Sequence, residues 1–229
     1  MQIGGIQRFS SIDFPGHLAA VVFTIGCNFR CPFCHNPELV IGGANVVSEE
    51  DVFQFLSTRM RQLEGIVISG GEPTLQPDLP DFIEKVRALG FRIKLDTNGT
   101  NPRMLAELMD RRLLDFVAMD VKHVWSRYVD AAGLRLVSIE NIQRSVELLL
   151  LGDVDYEFRT TVIRDFHDPA DIIAMSEQVR GAKRYVVQEF IPEKTLSKDF
   201  AQKLPFEKKT LEALVAAVAK NVKYFEIRQ

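Results

Sequence analysis

Apolar residues recur along the chain in two alternating rhythms. Short, β-branched runs at residues 19–25, 65–69, 91–96, 115–121, 156–163 and 184–190 read as strands buried on both faces, the pattern of a parallel sheet. Between them the apolar positions fall three and four residues apart, as on one face of a helix. Val52, Phe55, Leu56, Met60 and Leu63 follow Ser48, which is placed as an N-cap. Leu79, Phe82, Ile83, Val86 and Leu89 repeat the spacing, and Gly90 stands where a left-handed C-cap residue belongs. Asn101-Pro102 and Asp168-Pro169 each pair a capping side chain with proline at the first helical position. Residues 138–151 and 207–220 complete the helices. Strand–helix alternation over almost the whole length predicts right-handed crossovers in one α/β domain. Its expected parts are an N-terminal lead-in (1–18), a core of six strand–helix units (19–192) and a C-terminal helix and strand (193–229).

Periodicity counts strands but does not close them, so a partial barrel and a doubly wound sheet both fit six units. Either one gathers ligands at the C-terminal ends of the strands, and the residues just after each apolar run are therefore the candidates for chemistry. Charge narrows the partners: 28 Lys plus Arg against 31 Asp plus Glu give a net charge of −3, which offers no attraction to nucleic acid or anionic lipid. No apolar stretch approaches membrane-spanning length, and the first residues, MQIGGIQRFSSIDFPG, lack the basic-then-apolar run of a secretory signal, so the expectation is a cytoplasmic protein with no membrane partner.

All 3 cysteines, Cys27, Cys31 and Cys34, sit in the loop after the first predicted strand. An odd, clustered set argues against a disulfide framework and for a metal or redox role. Thiolates are soft ligands suited to zinc or to an iron–sulfur cluster. Zinc would want a fourth ligand, which His35 could supply, giving a zinc-stabilised binding protein. On a 4Fe-4S cluster, three thiolates leave one iron free to bind a small molecule.

The C-x3-C-x2-C spacing in that loop resembles the signature of the radical S-adenosylmethionine superfamily. The second predicted strand ends in Gly70-Gly71-Glu72-Pro73, similar to that superfamily's GGEP segment. The third and fourth lead into Asp96-Thr97-Asn98-Gly99 and Asp120-Val121-Lys122, which resemble the D-T-N-G and D-x-K segments of the glycyl-radical-enzyme activases. Ser10 to Gly16 is close to the lead-in of these activases, and Cys34-His35-Asn36-Pro37 matches their C-H-N-P ending. Within the group, the longer form of the anaerobic ribonucleoside-triphosphate reductase activating proteins is the nearest match.

The resemblance implies a partial (βα)6 TIM-like barrel holding a 4Fe-4S cluster on Cys27, Cys31 and Cys34. It implies S-adenosylmethionine chelated to the open iron, with Gly70, Gly71, Glu72 and Pro73 beside its amino group and Lys122 neutralising its carboxylate. Asp96, Thr97, Asn98 and Asp120 would give polar contacts, with a monovalent cation near Asp96 and Asp120. Arg159 would approach the cofactor, or else be a sheet-end residue paired near Glu157. The implied activity is reductive cleavage of the cofactor and abstraction of a glycine Cα hydrogen on a partner glycyl radical enzyme, with flavodoxin or ferredoxin as electron donor. A pyruvate formate-lyase type activase is the neighbouring alternative. A small-molecule enzyme such as 7-carboxy-7-deazaguanine synthase usually carries an acidic residue where His35 stands. Related activases tend to place a histidine after the sixth strand, where this chain reads Gln188-Glu189-Phe190-Ile191-Pro192. With no further cysteines, thiol-bound auxiliary clusters are excluded.

Overall fold

The computed structural model describes residues 1–228. One sheet carries eight strands in sequential order: β1 (Ile3–Ser10), β2 (Ala19–Thr24), β3 (Gly65–Gly70), β4 (Arg92–Thr97), β5 (Phe116–Asp120), β6 (Asp155–Val162), β7 (Tyr185–Glu189) and β8 (Phe225–Arg228). From β2 to β8 every neighbouring pair is parallel, while β1 joins β2 antiparallel. A doubly wound sheet reverses its strand order at a switch point, and this order never reverses. The ambiguity left by periodicity is thereby resolved in favour of the partial TIM-like barrel, open between its two edge strands.

Helices follow the strands: α1 (Pro37–Ile41), α2 (Glu49–Ser57), α3 (Leu79–Ala88), α4 (Pro102–Asp110), α5 (Tyr128–Ala132), α6 (Ile139–Leu151), α7 (Pro169–Gln178) and α8 (Lys208–Val218). Capping by short side chains fixes where several begin. Ser48 accepts from the Asp51 amide at 3.0 Å and Asn101 from the Met104 amide at 3.2 Å, each satisfying a first-turn donor that has no partner within the helix. α2 ends at Ser57, so Met60 and Leu63 lie beyond it in a turn rather than on its face. Among the described residues no helix is long and apolar enough to cross a membrane.

Strand side chains alternate between two different environments. Those facing the helices, such as Ile66, Ile68, Ile93, Leu95, Val117 and Met119, enter the large apolar core. Those facing inward form an apolar cluster at the N-terminal end, where Phe14 (2% exposed) packs on Ala19, Val21 and Val67. The lead-in thus plugs the end of the barrel remote from its mouth. Toward the mouth the inward face becomes charged: Lys94 and Asp96 on β4, Asp120 on β5, Glu157 and Arg159 on β6. Glu157, 1% exposed, is held by Arg228 of β8 through contacts of 3.2 Å to both carboxylate oxygens, which ties the last strand to the interior.

Candidate active site

One cavity at the C-terminal ends of the strands is bordered by all three cysteines, by Gly70, Gly71 and Glu72, by Asp96, Thr97 and Asn98, and by Asp120, Lys122 and Arg159. Five strands, β2 to β6, therefore deliver the residues singled out from sequence to a single place. Pro73 is the exception: it is buried, begins a single 3-10 turn and does not border the cavity. Phe33, His35, Asn36, Val40, Ser69 and Thr161 also border it. Ser69 and Thr161 could have been found by strand alternation, since they share the inward parity of Asp96 and Arg159.

The cysteine loop is fastened at several points. Gly26 donates to the Leu39 carbonyl, and Arg30 donates through its amide to Ala132 at 2.8 Å. The Phe29 amide points at Cys27 Sγ, 3.3 Å away. Phe33 packs against Phe166 and Phe200, and the Ser197 amide donates to the Pro32 carbonyl, so the segment after β7 straps this loop. Lys194 pairs with Glu38 at 2.8 Å, and Phe190 is buried against His35. The stretch from Gln188 to Lys194 thus supports the loop through Phe190 and Lys194, while Ile191, Glu193 and Lys194 are exposed.

Burial pushes the Cys31 thiol up to about 12 and raises that of Cys27. Such thiols ligate only after a cationic centre displaces their protons. Among the described residues, no group of three or more His, Cys, Asp or Glu side chains is arranged around a single metal ion.

The two glycines after β3 set the distance between strand ends. Gly70 has φ of +110°, and the Gly71 amide donates to Thr24 O at 2.9 Å while that of Glu72 donates to Gly26 O at 2.8 Å. Glu72, 1% exposed, spends its carboxylate on the protein itself. It accepts from the amide and hydroxyl of Thr74, from the Thr97 hydroxyl at 2.7 Å and from the Asn98 amide at 2.7 Å. It clamps the loop after β3 to the loop after β4, and burial raises its pKa despite those donors. Asn98 extends the clamp, donating to Asn28 at 2.9 Å in the cysteine loop.

Across the cavity the charges interlock. Lys122 lies 3.1 Å from Asp120, and Arg159 reaches Asp120 at 3.0 Å and Asp96 at 3.4 Å. These cations hold the Asp120 carboxyl down at about 2 and Asp96 below the usual carboxylate range, against the opposing effect of burial. Lys94, 1% exposed and bonded to Asp96, is a buried cation that sequence reading missed; as K-x-D on one strand it shares the face of Asp96. Arg159 is thereby placed among the mouth carboxylates and not with Glu157, which Arg228 holds.

Comparison with known proteins agrees with this geometry. A model of the radical SAM superfamily matches residues 21–179. A protein of Methanocaldococcus jannaschii, provisionally named as a glycyl-radical enzyme activating enzyme, is 33% identical over 223 residues, covering 96% of this chain and 92% of that one. The pyruvate formate-lyase-activating enzyme of Clostridium pasteurianum is 33% identical over 129 residues, 54% of this chain and 53% of its own length. The crystal structure of Streptococcus suis SuiB bound to S-adenosylmethionine superposes with a TM-score of 0.68 over 90% of this chain and 48% of that one; at 14% identity it speaks for the fold alone.

Proposed function

From the premise that the chain belongs to the radical SAM superfamily, in its glycyl-radical-enzyme activase group, we propose that it installs the glycyl radical of an anaerobic ribonucleoside-triphosphate reductase. The observation that carries the activase reading is the single cavity joining three cysteines to the loops after β3, β4 and β5. The cavity fits the groups that the family uses, a 4Fe-4S cluster and S-adenosylmethionine. Three soft donors line one wall, the backbone at Gly70 and Gly71 admits close approach, and cationic Lys122 and Arg159 stand opposite to receive a carboxylate. When bound, these groups together supply a 5′-deoxyadenosyl radical by one-electron cleavage of the sulfonium, and a glycine Cα hydrogen of the partner is its target.

The residues of this chain bind and orient. Cys27, Cys31 and Cys34 hold the cluster; Gly70 and Gly71 present backbone to the amino end of the cofactor; Lys122 pairs with its carboxylate. Glu72, Thr97 and Asn98 fix the loops against one another, so reacting atoms meet at a set distance and water is kept out. The open sheet leaves a side through which a protein loop can enter. An external one-electron donor of the flavodoxin or ferredoxin type completes the cycle. The reductase is put first on the resemblance of the whole chain to the longer form of its activating proteins, and a pyruvate formate-lyase stands as the alternative partner, since a lyase activase is 33% identical over about half of each chain.

The test is anaerobic. The chain, reconstituted with iron and sulfide and reduced, is mixed with S-adenosylmethionine and either an anaerobic reductase or a pyruvate formate-lyase from the same cell. Release of 5′-deoxyadenosine with a glycyl-radical EPR doublet on the reductase is expected. A doublet on the lyase alone would reassign the partner, and cofactor turnover with neither would remove both.

A further inference from the structure

Asp96 and Asp120 come from adjacent strands, and Arg159 of the next strand lies between them. Its Nη1 is 3.4 Å from Asp96 Oδ2 and its Nε is 3.0 Å from Asp120 Oδ1. Each carboxylate has a second cation on its other oxygen: Lys94 Nζ bonds Asp96 Oδ1, and Lys122 Nζ is 3.1 Å from Asp120 Oδ2. All four carboxylate oxygens are thus engaged by cationic donors, and the order Lys94, Asp96, Arg159, Asp120, Lys122 alternates in sign from end to end. Ser69 adds a neutral donor to Asp96 Oδ2 at 3.0 Å. The ladder is most shielded from water at its Lys94 end: Lys94 is 1%, Arg159 13% and Asp96 14% exposed, against 16% for Lys122 and 32% for Asp120.

The monovalent cation expected beside Asp96 and Asp120 does not fit this arrangement. It would need carboxylate oxygens that already have partners. It would also add a positive charge among three others in a poorly screened site, where like charges repel strongly. We propose that Arg159 is the resident cation of the site: its guanidinium bridges Asp96 and Asp120 in place of a metal ion, so the chain needs neither Na+ nor K+ to build the carboxylate end of its cofactor pocket. Three cations against two anions leave one positive charge in surplus, which matches the single carboxylate of an amino-acid ligand. That last point rests on the reading of the cavity as the S-adenosylmethionine site; the bridging role does not.

Two readouts separate the two ideas. The dissociation constant of S-adenosylmethionine for the reconstituted protein is measured in choline, Na+ and K+ salts at matched ionic strength, which removes general screening. The thermal melting of the full chain without added iron is followed in the same three salts. The wild type is expected to be indifferent to the cation in both. R159Q is expected to bind the cofactor about tenfold more weakly in choline, the loss of one charge-assisted bond, and to melt lower there. Na+ or K+ should restore both. Saturable gain of affinity or stability by the wild type on adding Na+ or K+ would overturn the proposal, as would a folded R159Q that ignores the cation. Should R159Q not fold, the wild-type titration alone decides. If the wild type binds no S-adenosylmethionine in any salt, the cofactor reading fails, and the melting series still judges Arg159.

Discussion

A Cβ placed on Gly71 would lie 2.0 Å from the carbonyl oxygen of Gly26, the residue immediately before Cys27. The glycine pair after β3 therefore stands against the backbone that launches the cysteine loop, and the two halves of the cavity share one contact.

Gly71→Val should consequently disturb both halves. Sequence reasoning alone expects weaker cofactor binding with an intact cluster. With Gly26 backbone in the way, the variant must shift the loop that begins at Cys27. Isothermal titration with S-adenosylmethionine and the EPR spectrum of the reduced cluster should both change. Unaltered values in both would reduce Gly70-Gly71 to an ordinary turn.

Replacing Cys27, Cys31 or Cys34 singly by Ala should lower iron content after reconstitution and abolish release of 5′-deoxyadenosine. None of the three has a substitute, because the chain has no further cysteine and no third His, Cys, Asp or Glu is placed to complete a mononuclear site among the described residues. A variant with full iron and full turnover would sink the cluster assignment.

Lys122→Met should raise the dissociation constant for S-adenosylmethionine about tenfold or more, since a charge-assisted hydrogen bond in a partly buried site contributes about 1.5–3 kcal/mol. The same change leaves Asp120 with Arg159 as its remaining cation, so the melting temperature should fall as well. Equilibrium binding beside a thermal melt separates the two effects. An unchanged binding constant would leave Lys122 as a partner for Asp120 alone.

Much of this was legible because it is local. Ser48 and Asn101 cap helices through amides three residues away, and the cysteine spacing, the glycine pair and the D-x-K segment are each short stretches of chain. What escaped depends on distant partners. β1, with two glycines and three exposed residues, gains its strand character from pairing with β2 rather than from its own pattern. α1 and α5 are five residues long, too short for a helical period to show. Lys94 reads in sequence as a solvated alternate position, whereas the curled sheet turns that face into a charged interior. The contacts by which Glu72 clamps two loops were also out of reach of the sequence, because Thr97 and Asn98 approach it only once β4 lies beside β3.

The loop after β5 is held to the loop after β6 by two histidines whose protonation sets a final expectation. His167 Nδ1 accepts from the Ile163 amide at 3.1 Å, so its Nε2 carries the hydrogen and donates to the Lys122 carbonyl at 3.0 Å. His123 repeats the pattern, accepting from the Val124 amide and donating to Phe166 O, and the two rings lie 4.6 Å apart. Burial drives His167 down from 6.5 to about 4, with His123 and Arg127 adding to the shift and Asp171 opposing it. His123 is lowered in the same direction, with Arg127 on one side and Asp171 and Asp130 on the other. An unfolded chain binds these protons below pH 6.5 while the folded chain refuses them until about pH 4. Stability is therefore complete above 6.5, declines as pH falls through that window, and levels off near 4, a loss on the order of 3 kcal/mol from His167. Asp96 and Asp120, lowered from 3.8, contribute only below this window, whereas Glu72, raised above 4.5 by burial, binds its proton more readily in the fold and opposes the decline within it. Denaturant unfolding of the full chain without added iron, from pH 7.5 to 4.5, should show the decline, and His167→Gln should flatten it while lowering stability at neutral pH. Parallel curves for the wild type and His167→Gln across this range would mean that His167 takes up its proton in the fold as readily as in the unfolded chain, and the hydrogen bond to Lys122 would need to be redrawn.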